Sequence, residues 1–276
     1  MTTLYLSDLD GTLFTTKKSL SKKTTSLLND CLNKDVKFAV ATARMPYGCD
    51  YRLKALNLST PSILTNGVFL YDFSTSRYLD AKKMNPDAVL KVLDVFEAMD
   101  TGVFLYSFFE NKIQICYNKD TMTDQTQYYS DRALECCSKV AYQPELKPYV
   151  LSSDIVYLAC TDTEEKLTPI HQAVQNIPGI SCAFYLNIYN GLYCIEIFSD
   201  QATKKNALLE LKHMLNCDEV VVFGDNLNDL SMFEVADRKY AVANALDSVK
   251  ECADAIIPSC DEDGVAAFIH REIFGI

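Results

Sequence analysis

The N-terminal quarter of the chain alternates short apolar runs with amphipathic stripes. Leu4–Ser7 is a brief run of strand character. Ser21 precedes a stretch whose Leu27, Leu28, Cys31 and Leu32 recur at helical spacing, so Ser21 is expected to cap a helix. Phe38–Thr42 reads as a second buried strand. Pro46 suits the first turn of a helix reaching about Leu56, and Ser62–Thr65 reads as a third strand. This βαβαβ order predicts a parallel sheet with right-handed crossovers. The C-terminal quarter repeats the alternation. Lys204–Leu215 carries Leu208, Leu211 and Leu215 on one helical face, and Glu219–Phe223 is a β-branched strand. Asp229–Ala236 is a short helix, Tyr240–Ala243 a strand, Leu246–Ala253 a helix, Ala255–Ile257 a strand and Gly264–Phe274 a closing helix.

The middle is patterned differently. Val103–Phe109 and Lys112–Tyr117 flank Glu110-Asn111, and Phe184–Ile188 and Leu192–Phe198 flank Asn190-Gly191. Both junctions read as two-residue hairpin turns, which join antiparallel strands. Between them, Asp154–Cys160 is a strand and Glu164–Asn176 a helix. The expected organisation is an α/β core with a Rossmann-like, doubly wound parallel sheet over residues 1–83 and 191–276, interrupted by an inserted α+β unit over 84–190.

Composition narrows the partners. The chain has 276 residues, 49% of them hydrophobic, which suffices for one or two packed domains. A net charge of −11 at pH 7 repels nucleic acid and anionic membranes, so neither is expected as a partner. No apolar run approaches the roughly 18 residues of a membrane helix, and no leader pattern follows Met1. The 11 cysteines are odd in number and lack a C-x-x-C pair, which fits reduced thiols in a cytoplasmic protein better than a zinc site. His171, His213 and His270 lie far apart in helix-like stretches and suggest neither a triad nor a metal cluster.

Four segments carry candidate chemistry, and three follow predicted strands at the sheet edge where open α/β folds bind ligands. They are Asp8-Leu-Asp-Gly-Thr12, Ala41-Thr-Ala-Arg44, Ala202-Thr-Lys-Lys205 at the start of a helix, and Gly224-Asp-Asn-Leu-Asn-Asp229. Each has a plain structural reading: Asp-Gly forms turns, Asp225 and Asn226 can cap a helix, lysines can be solvated, and a strand Thr can pack. All four in this order are poorly explained that way. Two carboxylates as close as Asp8 and Asp10 repel unless cations complete the site.

In this order the segments resemble the haloacid dehalogenase-like (HAD) superfamily, and most closely its Cof-like, sugar-phosphatase-type branch with a C2 (type IIB) cap. Thr65-Asn-Gly67, Val242-Ala-Asn-Ala245 and Asp261-Glu-Asp-Gly-Val265 agree with it, so the resemblance spans nearly the whole chain. It implies a Mg²⁺-dependent phosphatase working through an aspartyl-phosphate. Asp8 would be the nucleophile and Asp10 the acid/base. Lys204 would offset charge, and Asp8, the Asp10 carbonyl, Asp225 and Asp229 would serve the metal, Asp229 at one remove. Gly11, Thr42, Ala43, Arg44, Lys204 and Asn228 would line the phosphate. Arg44 could instead pair with a nearby carboxylate.

Two positions depart from the common pattern: Ala43 and Lys205 stand where relatives often carry Gly. Substrates implied are small phosphorylated metabolites, foremost hexose or pentose phosphates, with flat esters such as flavin mononucleotide or pyridoxal phosphate behind them. The inserted unit would be a cap that sets specificity. Its aromatic residues Phe104, Tyr106, Phe108, Phe109, Tyr128, Tyr129, Tyr185 and Tyr189 read first as its own core. The competing readings are a phosphosugar mutase, which would interconvert isomers and release little phosphate, and a non-catalytic metabolite-binding protein, which the full set of acidic residues and Lys204 disfavours. The sequence is silent on oligomeric state.

Overall fold

The computed structural model describes residues 1–120, 122, 137, 139–187 and 190–275. Two compact units result: Met1–Asp80 with Thr203–Ile276, and Ala81–Ala202.

The first unit is built on a five-stranded parallel sheet, ordered β14-β13-β12-β1-β2. Its strands are β1 (Thr3–Ser7), β2 (Lys37–Val40), β12 (Glu219–Gly224), β13 (Arg238–Val242) and β14 (Ala255–Ile257). Sequential burial of Leu4, Tyr5 and Leu6, and of Val220 through Phe223, shows both faces of the central strands covered, as a parallel sheet requires. The chain leaves β1 for β2 on one side, then returns to β12 on the other. β1 and β12 therefore form the switch point, and their C-terminal ends coincide in register at Ser7 and Phe223. α1 (Lys22–Leu32) is capped by Ser21, whose hydroxyl accepts from the Thr24 N–H. It packs against the closing helix Gly264–Phe274. α2 (Pro46–Leu53) opens with Pro46 in its first turn.

Three expectations need correction. β3 (Ser62–Leu64) does not extend the parallel sheet as a full strand. It pairs antiparallel with β4 (Phe69–Asp72), in a separate three-stranded sheet completed by β5 (Arg77–Ala81), and meets β2's edge through a single bridge from Ala41 to Ile63. The side-chain hydroxyl of Ser62 accepts the Val40 N–H in place of a ladder bond. Second, the insert spans Ala81–Ala202 rather than 84–190, because β11 (Leu192–Ser199) pairs with strands on both its sides within the second unit. Third, Asn187 pairs with Leu192, so the connection before β11 is four residues long; Ile188 and Tyr189 lie outside the described residues, as do Tyr128 and Tyr129.

The second unit is a six-stranded sheet, β10-β11-β9-β6-β7-β8. β6 (Phe104–Phe109) and β7 (Lys112–Tyr117) join through Glu110 and Asn111, whose positive φ values of 47° and 61° suit a tight hairpin. β8 (Lys139–Tyr142), β9 (Asp154–Asp162) and β10 (Ile180–Asn187) complete it with β11. One sheet face buries Leu105, Leu158, Ile195 and Ile197 against α3 (Pro86–Ala98) and the helix Glu164–Val174. Among the described residues no helix is long and apolar enough to cross a membrane.

Candidate active site

Parallel register delivers two carboxylates to one edge. The Asp8 N–H donates to the Phe223 carbonyl at 3.0 Å, so Asp8 leaves β1 where Gly224 and Asp225 leave β12. Lys204, the first residue of the helix Lys204–Met214, comes to the same place. Thr203 caps that helix by accepting from the Asn206 N–H at 3.0 Å. The Lys204 Nζ donates to Asp8 Oδ1 and to Asp229 Oδ1, each at 2.7 Å, with all three side chains buried. The second Asp229 oxygen accepts the N–H groups of Asp225 (2.9 Å) and Asn226 (3.1 Å), which folds the Gly224–Asp229 turn around it. Gly224 is required here, since a Cβ would come within 2.6 Å of Asp229. Asp225 accepts from the Thr12 hydroxyl at 2.6 Å.

Carboxylate oxygens of Asp8, Asp225 and Asp229 lie within 4.8 Å of one another. Asp8 Oδ2 and Asp225 Oδ2 accept no hydrogen bond among the described residues. Three carboxylates face one ammonium, an imbalance that a divalent cation would cancel, and hard oxygen donors suit Mg²⁺. The residues fit the ion. Asp229 spends both oxygens on Lys204 and the backbone, so it orients the others. Gly11 leaves room for the Asp225 carboxylate: at φ +85° it turns the chain, and a Cβ there would come within 2.5 Å of Asp225 Oδ2.

The electrostatics follow from burial. Burial pushes the Asp8 carboxyl up to about 8; Lys204 pulls it back, while Asp229 and Asp225 add to the rise. Burial likewise lifts Asp225 to about 6 against the Thr12 hydrogen bond, with Asp229 contributing. Burial works against the Lys204 charge, but Asp229 and Asp8 hold its ammonium above the ordinary range. A carboxyl raised by folding stabilises the protein below its ordinary value near 4 and loses that contribution as pH rises through the folded value. Metal-free protein is therefore expected to lose this stabilisation as pH climbs from about 4 through Asp225's value and on to that of Asp8. Mg²⁺, competing with those protons, should add most at the upper end. Melting temperatures across this range, in chelator and in Mg²⁺, should diverge as pH rises; parallel curves would contradict the cluster's role.

Asp10 behaves differently from Asp8. Its carboxylate lies outside the three-residue cluster and takes a two-point pair from Arg44, Nε to Oδ2 at 2.6 Å and Nη2 to Oδ1 at 2.7 Å. The cations that relieve the Asp8/Asp10 repulsion come from far along the chain. Arg44 also donates to the Gly48 carbonyl and lies over the Phe14 ring. Thr42 is buried, its hydroxyl accepting the Arg44 N–H at 3.1 Å. Ala43 is exposed and free of positive φ, so its methyl is accommodated without strain. Lys205 turns away to Glu234 at the surface. Asn228 is exposed and donates to Asn66 Oδ1 at 3.4 Å.

Four residues emerge that sequence reasoning did not assign. Thr12 holds Asp225. Asn244 donates to the Gly11 carbonyl at 2.7 Å and accepts from the Cys260 N–H, fixing the loop after β1. Asn66 sits in a left-handed run, Thr65, Asn66 and Gly67 having φ of 52°, 54° and 101°. The Asn66 N–H bonds the Thr42 carbonyl, and Gly67 lies so close to Thr203 that a Cβ would meet its carbonyl oxygen at 2.4 Å. The turn is thus a spacer between Thr42 and the start of the Lys204 helix. Gly67→Ala is expected to cost roughly 2 kcal/mol or more and to lower activity by displacing Lys204. Gly191→Ala, at φ +71° with nothing within 4 Å, should cost only the strain. Denaturant midpoints of the two variants check this; equal losses would contradict it.

The parallel sheet, its switch-point edge and the buried carboxylates place a candidate metal site where open α/β folds bind ligands. A model of the haloacid dehalogenase-like hydrolases matches residues 5–269, and the chain belongs to this family. It is 27% identical over 274 residues to the pyridoxal phosphate phosphatase YbhA of Escherichia coli, covering 96% of this chain and 97% of that protein. Its fold is similar to the crystal structure of TM0651 from Thermotoga maritima, at TM-score 0.77 and 24% identity over 98% of this chain and 97% of the other. It is also similar to the HAD subclass IIB sugar phosphatase BT4131, at TM-score 0.70 and 20% identity over 100% and 99% of the two chains.

Proposed function

We propose that this chain is a Mg²⁺-dependent phosphomonoesterase that hydrolyses small phosphorylated metabolites, sugar phosphates foremost, through an aspartyl-phosphate on Asp8. The observation that carries the reading is Lys204, buried between Asp8 and Asp229, with the other oxygen of Asp8 unbonded among the described residues.

Asp8, the Asp10 carbonyl and Asp225 would hold the cation, with Asp229 orienting them. Bound there, Mg²⁺ would neutralise phosphate charge, so that an anionic nucleophile can approach an anionic ester. Lys204 holds one Asp8 oxygen and directs the other at phosphorus. Attack by that oxygen forms the Asp8–phosphorus bond as the ester oxygen leaves. Asp10 gives that oxygen a proton, then takes one from the water that cleaves the acyl phosphate. Thr42, Ala43 and Asn228, with the Gly11 turn, would surround the transferring group, and Arg44 would orient Asp10. The unit Ala81–Ala202 would act as the cap that selects the leaving group. The E. coli relative's named substrate keeps pyridoxal phosphate among the esters to be tried.

The reading is tested by phosphate release across a panel of metabolite esters, with chelator and with added Mg²⁺. Release should vanish in chelator and return with Mg²⁺. Full activity in chelator would remove the metal, and isomer interconversion without phosphate release would replace the phosphatase with a mutase.

A further inference from the structure

Val242–Ala245 belongs to none of the four segments that carry the candidate chemistry, yet the chain that follows β13 reaches the acidic cluster twice. It joins β13 to the helix Asp247–Cys252. Asn244 within it bridges two loops. Its Nδ2 donates to the Gly11 carbonyl at 2.7 Å, and its Oδ1 accepts from the Cys260 N–H at 2.9 Å. A carbonyl on one side and an N–H on the other allow the amide only this orientation. Cys260 is buried, so the bridge has a fixed foot. Two residues beyond Asn244, the Leu246 N–H donates to the Asp225 carbonyl at 2.9 Å. One short stretch therefore holds both the loop after β1 and the first residue after β12.

What Asn244 holds on the β1 side bears on the cation. Gly11 lies at φ +85°, and a glycine's own torsions constrain the chain direction less than those of any other residue. The constraint has to come from outside. Among the described residues the Gly11 carbonyl takes no hydrogen bond other than that from Asn244. This carbonyl shares a peptide plane with the Thr12 N–H, so pinning the oxygen sets where Thr12 begins. Thr12 is buried, and its hydroxyl holds Asp225 Oδ1 at 2.6 Å. With one oxygen held, the direction of the other is set, which is how outer partners orient the carboxylates of a metal site. The relay runs from Cys260 through Asn244, Gly11 and Thr12 to Asp225.

We infer that Asn244 is a positioning residue for the cation site: acting through Gly11 and Thr12, it fixes the direction of the Asp225 carboxylate and so raises the affinity for Mg²⁺. The inference rests on the reading of Asp8 and Asp225 as cation ligands.

Titration calorimetry of Mg²⁺ into the metal-free, full-length protein reads that affinity without turnover. Asn244 is exposed, so truncating it leaves the packed core intact. Asn29 supplies the control. Its amide donates to the Ala55 carbonyl at 2.9 Å and accepts from the Asn57 N–H at 3.0 Å, the same pair of bonds in the same unit, on residues outside the cluster. Asn244→Ala should weaken Mg²⁺ binding roughly 10-fold, as should Thr12→Val, while Asn29→Ala changes it by about twofold or less. Because Asn244 and Thr12 act on Asp225 in series, the double variant should bind within about twofold of Thr12→Val alone. Wild-type affinity in Asn244→Ala, an equal loss in Asn29→Ala, or losses that multiply in the double variant would overturn the inference and leave the cation site standing. A wild type that binds no Mg²⁺ would remove the cation site, and this inference with it.

Discussion

Asp8→Asn is expected to abolish turnover, by roughly 10⁴-fold or more in kcat, while the protein stays folded and its metal-free melting temperature holds or rises. The asparagine oxygen can still accept from Lys204, so the 2.7 Å contact survives in kind. What disappears is the anionic oxygen that would attack phosphorus. Stability moves the other way because Asp8 is buried, with its carboxyl pushed up to about 8. Removing one of three carboxylates that share one ammonium relieves repulsion in the absence of metal. Steady-state phosphate release and thermal unfolding in chelator check both halves. Residual Mg²⁺-dependent hydrolysis near the wild-type rate would remove Asp8 as nucleophile.

Lys204→Met should do the opposite to stability and the same to activity. The substitution keeps an unbranched chain of similar length but leaves Asp8 and Asp229 buried without their shared partner. Stranding buried charge typically costs about 3–5 kcal/mol. The expected result is a fall of that order in unfolding free energy, with phosphate release reduced by at least about 100-fold. Lowering the pH should recover part of the stability, since protonating Asp8 removes the stranded charge. Denaturant midpoints at two pH values read this directly. A variant as stable as wild type at neutral pH would show that Lys204 is not the counter-charge of the cluster.

Much of this was legible in the sequence, for reasons that differ by element. β1 and β12 are continuous apolar runs because both faces are buried, and Ser21 and Pro46 mark helix starts by chemistry that is local in sequence. Contacts between distant segments were less legible. Thr12 reaches Asp225 across 213 residues and Asn244 reaches Gly11 across 233, and no local pattern records either pairing. The resemblance gives Asp8 and Asp10 different roles, but the sequence between them does not show that one turns to Lys204 and the other to Arg44. The insert's return boundary was misplaced because the alternation of Leu192–Phe198 looks the same in either sheet. Only its pairing with β9 and β10 assigns it. Ser62–Leu64 is as apolar as a buried parallel strand, but its main partner is β4, the strand that follows it, and the left-handed turn between them was visible only as Asn-Gly.

The central claim is that Asp8 carries the phosphoryl group. Rapid acid quench of the wild-type protein during turnover of a phosphate monoester in Mg²⁺, followed by peptide mass mapping, tests it most directly. The account predicts a phosphoryl group on the peptide containing Asp8, absent in Asp8→Asn and absent in chelator. Steady turnover with the phosphoryl group on another residue, or on none, would contradict it.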